Sequence, residues 1–167
     1  MKNSRFLAYG ALIAALYVAL TYLQNALLPG SATWAIQFRA SEALCVLALF
    51  TPAAIPGLTL GCLLFNISYA GALPLDFLVG SLATLLATAG MYALRKMTVK
   101  GYPLLAMLLP AVTNAFLVGW ELSVYIGGAF WLNTLYVAIG ELAVLLILGT
   151  LLYCAFRSRK LDKRLFG

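Results

Sequence analysis

Four acidic residues stand inside stretches that are otherwise apolar: Glu42, Asp76, Glu121 and Glu141. An ionisable side chain within a membrane segment costs roughly 2.5–3.5 kcal/mol on insertion scales, so each is read first as part of a site. Asn66, Asn114 and Asn133 occupy the same kind of stretch, and Arg39 precedes Glu42 by three positions. Carboxylates accept hydrogen bonds and pair with cations, while asparagine offers donor and acceptor together, as an amide or nucleobase edge requires. Four carboxylates against one arginine favour a ligand that donates hydrogen bonds or is positively charged, and disfavour a phosphate or sulfonate. Trp34, Trp120 and Trp131 fall near the same side, which suits a flat ligand. A nitrogen-rich heterocycle bearing an amine fits all three features.

Each group also has a structural reading. Glu42 and Asp76 stand near helix starts, where a carboxylate complements the dipole. Arg39 is placed to pair with Glu42. The asparagines can join helices to one another, and the tryptophans can form an interfacial belt. Glu121 and Glu141 are at no helix start, and they are the two acids most strongly expected in a site. Asn114 and Glu121, seven residues apart, share a helix face.

The elements that position these residues follow from composition. The 167 residues are 64% hydrophobic and 10% charged, with mean hydropathy +1.00. A soluble domain is about 45–50% apolar and about 25% charged, so lipid must be the solvent. A spanning helix needs about 20 apolar residues, and the chain holds six such segments in one unit, residues 1–167. The expected helices are about 5–28, 40–51, 53–69, 74–95, 102–126 and 130–156. The first follows a basic start, as a signal peptide would, but its apolar run is too long for one. The second is short and ends at Thr51–Pro52, where proline suits the first turn of the next helix. Residues 29–37 form a non-helical stretch expected to close over the site.

Ten of the eleven lysines and arginines lie in the two terminal segments and in the loop around Arg95, Lys96 and Lys100; Arg39 is the exception. Positive charge marks the cytoplasmic side. Six spans with both termini cytoplasmic satisfy this, whereas an odd number would divide the basic ends. Sorted the same way, Glu42, Asp76, Glu121 and the asparagines fall in the outer half. Glu141, roughly ten residues into the last helix and about 15 Å along it, falls near the middle.

Several functions are excluded. There is no histidine, and Cys45, Cys62 and Cys154 stand singly without metal-ligand spacing. No phosphate-cradling glycine loop, HExxH or GxSxG is present. An enzyme, a metal site or a cofactor is therefore not expected. The net charge of +6 sets topology and does not indicate nucleic-acid binding.

Helix one carries Ala11, Ala15 and Ala19 at every fourth position, with Ala8, Gly10 and Ala14 beside them. Small residues at this spacing let another helix approach closely. Packing within the chain and docking to a membrane partner are both open. Since this helix brings no charge to the outer half, its expected role is packing. Gly57 and Gly61 form a second seam, read as internal packing.

Several stretches resemble the QueT family: 36–44, from Ile36 through Arg39 and Glu42 to Leu44; 50–58, around Pro52 and Pro56; 80–85; 110–115; and 130–142, which includes Trp131, Asn133 and Glu141. QueT proteins are substrate-binding S components of energy-coupling-factor (ECF) transporters, assigned to uptake of a queuosine precursor. The resemblance implies a six-helix bundle with an outward solute site. It implies a 7-deazaguanine substrate such as preQ1 or queuine, the former carrying an aminomethyl cation. It implies partners as well: a transmembrane coupling subunit, which would dock on the Ala11, Ala15 and Ala19 seam, and two cytoplasmic ATPases. The location would be the plasma membrane of a prokaryote. In that setting Glu121 and Glu141 would take the guanine-like N–H edge and the ammonium, with the asparagines orienting the remaining polar atoms and an outer tryptophan stacking. The competing reading is a self-sufficient secondary transporter or channel for a similar heterocycle. Against it, the chain lacks inverted halves with paired broken helices.

Overall fold

The structure, a computed structural model, describes residues 2–29, 31 and 38–166. Its regular elements are all helices, joined by short links that include one isolated bridge between Val99 and Tyr102. Helix α1 spans Lys2–Leu27, and a 3-10 helix follows at Ala40–Leu49. Then come α2 (Ala54–Ser68), α3 (Asp76–Leu94), α4 (Leu104–Tyr125) and α5 (Phe130–Val144). A π-helical turn, Leu145–Gly149, joins α5 without a break to α6 (Thr150–Ser158), and a short α7 (Leu161–Phe166) closes the chain.

Among the described residues, four helices are long and apolar enough to cross a membrane: Asn3–Leu27, Asp76–Leu94, Leu104–Tyr125 and the continuous Phe130–Ser158. The other two expected segments, Ala40–Leu49 and Ala54–Ser68, are shorter. As a 3-10 helix, rising about 2.0 Å per residue against 1.5 Å for an α-helix, the ten-residue segment extends about 20 Å instead of about 15 Å. Beyond α6 the basic terminal segment carries α7.

The 3-10 helix is the axis of the bundle. Ser41, Glu42, Ala43 and Cys45 to Leu49 are all buried, and it packs against α1 to α6 and the π turn. Its sequence suits that place, because small residues (Ala40, Ser41, Ala43, Cys45, Ala48) let six neighbours close on one thin rod. In a 3-10 helix positions i and i+3 eclipse, and this brings the Cys45 thiol over the Glu42 carboxylate, 3.2 Å away.

Polarity is inverted relative to a water-soluble protein. Leu7, Leu12, Leu64, Ile67, Leu86, Phe116, Leu135 and Leu151 are exposed, while Thr21, Gln24, Asn66, Thr84, Thr88 and the acids Glu42, Asp76, Glu121 and Glu141 are buried. Lipid contact explains the first set and internal hydrogen bonding the second. An apolar cluster fills the bundle beside the polar groups, built from Val46, Leu47, Ala48, Leu49, Leu58, Met91, Ala106 and Met107 among others.

Helices α1 and α2 meet through the second glycine seam. A Cβ on Gly57 would fall 2.7 Å from the Gly10 carbonyl oxygen, and one on Gly61 2.8 Å from the Tyr17 Cβ. This seam is internal packing, as its spacing suggested. The alanine row points elsewhere: Ala11, Ala15 and Ala19 are exposed.

Aromatic contacts gather the basic segments at one end. The Tyr9 hydroxyl donates to the Leu165 carbonyl, and its ring meets Phe166 edge-on at 5.2 Å. Phe50 stacks on Tyr153 at 5.7 Å and on Phe156 at 5.3 Å, and Tyr102 meets Tyr153 at 5.4 Å. The start of α1, the end of the 3-10 helix, the start of α4, the end of α6 and α7 therefore share one end. Arg39, Asp76 and Glu121 lie toward the other.

Candidate functional site

Chain direction brings the acids together. The 3-10 helix runs from Arg39 toward the basic end and α3 runs from Asp76 the same way, while α4 arrives at Glu121 near its own far terminus. Glu141 lies eleven residues beyond Phe130, about 17 Å along the long helix, which places it deeper. Arg39 Nη2 is 3.1 Å from Asp76 Oδ2, with both side chains 4% exposed. Among the described residues the arginine's ion pair is thus with Asp76, on another helix, and not with the neighbouring Glu42.

Glu42 is fixed by two donors, the Tyr17 hydroxyl at 2.5 Å on Oε1 and the Cys45 thiol on Oε2. Asn114 Nδ2 donates to Glu141 Oε1 at 2.9 Å, joining α4 to α5. Asn66 Nδ2 donates to the Asp76 carbonyl at 2.9 Å and so holds the start of α3 against α2. Asn133 serves the α4–α5 turn, donating to Ser123 Oγ and to the Gly127 carbonyl, each at 3.0 Å.

Helix α1 contributes more than packing, contrary to expectation. Tyr17, Thr21, Gln24 and Asn25 are buried at spacings of four, three and one, which define a polar stripe on one helix face. Thr21 donates to Ser41 Oγ at 2.7 Å. Gln24 accepts from the Ala40 amide at 2.7 Å and donates to Ser31 Oγ at 2.8 Å and to the Phe38 carbonyl. This stripe holds the segment leading into the 3-10 helix. Its spacing was visible in the sequence, but neutral side chains draw less notice than charges.

Buried acceptors remain without donors among the described residues. They are both oxygens of Glu121, Glu141 Oε2, Asp76 Oδ1, Asn66 Oδ1 and Asn25 Oδ1; the Thr134 hydroxyl is also unpartnered. Glu121 is 0% exposed. It lies within electrostatic range of Asp76 and Arg39, as Glu141 does of Glu42 and Arg39. A buried acceptor left unpaired costs about 1–3 kcal/mol, and more when charged. Such a group of acceptors can bind a molecule rich in N–H donors, above all one that presents two in parallel to a single carboxylate.

Trp120 and Trp131 do not join this cluster. Trp131 is 71% exposed and packs edge-on against Phe116 and Phe130. The first turn of α5 turns this ring outward. Trp120 is exposed as well. Trp34 lies outside the described residues, as do residues 32–37 of the stretch expected to close the site.

The alanine row lines a lateral groove of about 670 Å³ between α1 and α2, formed by Ala11, Ala15, Val18, Ala19, Leu60 and Leu64.

An apolar exterior around a buried polar centre defines a multi-pass helical membrane protein. The model of the QueT transporter family matches residues 7–158, and the chain belongs to that family. No curated protein and no solved structure matches it.

Proposed function

We propose that this protein is the S component of an ECF-type importer, capturing a queuosine precursor of the 7-deazaguanine class such as preQ1 or queuine. The carrying observation is the pair Glu121 and Glu141, buried on neighbouring helices with three of their four carboxylate oxygens unpartnered among the described residues. A guanine-like edge supplies parallel N–H donors for one carboxylate, and an aminomethyl cation suits the other. Arg39, Asp76, Glu42, Asn66 and Asn114 then hold the site in shape, and Asn133 fixes the turn beside it.

In this reading residues 1–167 are one substrate-binding unit with six crossings and both termini cytoplasmic. The basic segments, gathered at one end by the contacts of Tyr9, Phe50 and Tyr153, support that orientation. The exposed alanine groove supports docking of a transmembrane coupling subunit, which two ATPases would drive. The membrane is the plasma membrane of a prokaryote, and the bound solute leaves unaltered.

A self-sufficient secondary transporter competes with this reading. The packed Val46, Leu49, Leu58, Met91 and Met107 favour a subunit that must be moved by a partner over one that opens a path through itself. Mass spectrometry of small molecules carried by the purified protein, followed by calorimetry with preQ1, tests the assignment. A 7-deazaguanine is expected; proton-driven uptake by the chain alone in liposomes would overturn it.

A further inference from the structure

A second polar region lies at the basic end. A cleft of about 290 Å³ opens where α3 and α6 end, α4 begins and α7 folds back, and its walls include Arg95, Arg157, Asp162, Phe50, Tyr153 and Phe166. Neither arginine is in an ion pair among the described residues, where Arg39–Asp76 is the one such contact. Arg95 is held in place: it donates to the Tyr92 carbonyl, and its guanidinium carbon lies 3.6 Å from the centre of the Tyr92 ring. One such bond uses a single donor of the five that a guanidinium carries.

The opposite wall is aromatic. Phe50 stacks on Tyr153 and Phe156, and Phe166 lies against Phe156 at 6.3 Å. Three apolar spans stop at this level, at Leu94, Leu104 and Ser158, so an occupant would lie at headgroup depth. Lys96, Lys100, Arg159, Lys160 and Arg164 flank the cleft in sequence, with Asp162 as the sole acid.

We infer that this cleft is a binding site for the phosphate headgroup of an anionic phospholipid, with Arg95 and Arg157 as its phosphate ligands. Guanidinium groups grip phosphate through paired N–H donors. The aromatic wall accepts the glycerol and first methylenes, which a free phosphate lacks. Surrounding basic residues add further attraction toward an anionic surface. The site is independent of the acid cluster, and its occupant has the opposite charge preference.

The test uses the full chain in phosphatidylcholine nanodiscs containing a minor fraction of phosphatidylglycerol, with retained lipid counted by native mass spectrometry. Arg95→Gln with Arg157→Gln is expected to lower phosphatidylglycerol retention about tenfold. The charge-matched pair Arg159→Gln with Arg164→Gln is expected to leave it nearly unchanged. Equal losses in both pairs would mean diffuse attraction to a basic end and overturn the site. Displacement of the lipid by inorganic phosphate, with phosphate retained instead, would make it a soluble-anion site and overturn the lipid assignment. Should the glutamine pair fail to fold, Arg95→Lys with Arg157→Lys keeps the charge but loses the paired geometry. Its retention is expected to fall several-fold, and unchanged retention overturns the proposal.

Discussion

The Tyr17 hydroxyl donates to Glu42 Oε1 over 2.5 Å, tying the first helix to the 3-10 axis of the bundle. With the Cys45 thiol on Oε2, both oxygens of Glu42 are engaged within the protein. Glu121, equally buried, has neither oxygen engaged among the described residues. Two carboxylates of one chain thus differ in setting: one is satisfied inside the protein and the other has no donor among the described residues.

Tyr17→Phe removes the donor and leaves a buried acceptor unpaired, which costs about 1–3 kcal/mol. Thermal unfolding in detergent is expected to shift down, and to shift less in Tyr22→Phe, whose hydroxyl bonds to Ser68 on an exposed surface. Equal shifts would contradict a special role for the Tyr17–Glu42 contact.

Glu121→Gln breaks no hydrogen bond among the described residues, so thermal stability is expected to hold or rise. Affinity for a 7-deazaguanine is expected to fall tenfold or more, about 1.4 kcal/mol. Glu141→Gln is expected to weaken binding similarly, its amide oxygen still accepting from Asn114. Calorimetry showing wild-type affinity in both variants would remove them from the site.

Gly61→Ala puts a methyl group 2.8 Å from the Tyr17 Cβ and 3.0 Å from the Ala14 carbonyl oxygen. Overpacking of this kind costs about 1–3 kcal/mol. Since α1 must move and Tyr17 moves with it, both the unfolding temperature and ligand affinity are expected to drop. A lowered unfolding temperature with unchanged affinity would separate the seam from the site.

Ala15→Trp adds bulk to the exposed groove and touches neither the glycine seam nor the polar stripe. Folding and ligand binding by the isolated chain are expected to persist while co-purification with the transmembrane coupling subunit is lost. Retained complex formation would direct the search for the docking face elsewhere.

Composition and charge placement determined by themselves that lipid is the solvent, where the helical segments lie and which acids stand within them. They could do so because transfer free energies and the bias of basic residues act residue by residue along the chain. The family was legible too, in stretches such as those around Arg39–Glu42 and Gly140–Glu141. Pairing was not legible: Arg39 stands three residues from Glu42 and bonds Asp76, because winding and helix packing decide which side chains meet. The 3-10 winding of Ala40–Leu49, the partners of the α1 polar stripe and the outward turn of Trp131 were equally invisible locally. Each is imposed by neighbours that only the tertiary structure brings together. What that structure decided about the acids is which of them the protein satisfies internally, and which it leaves without a donor among the described residues.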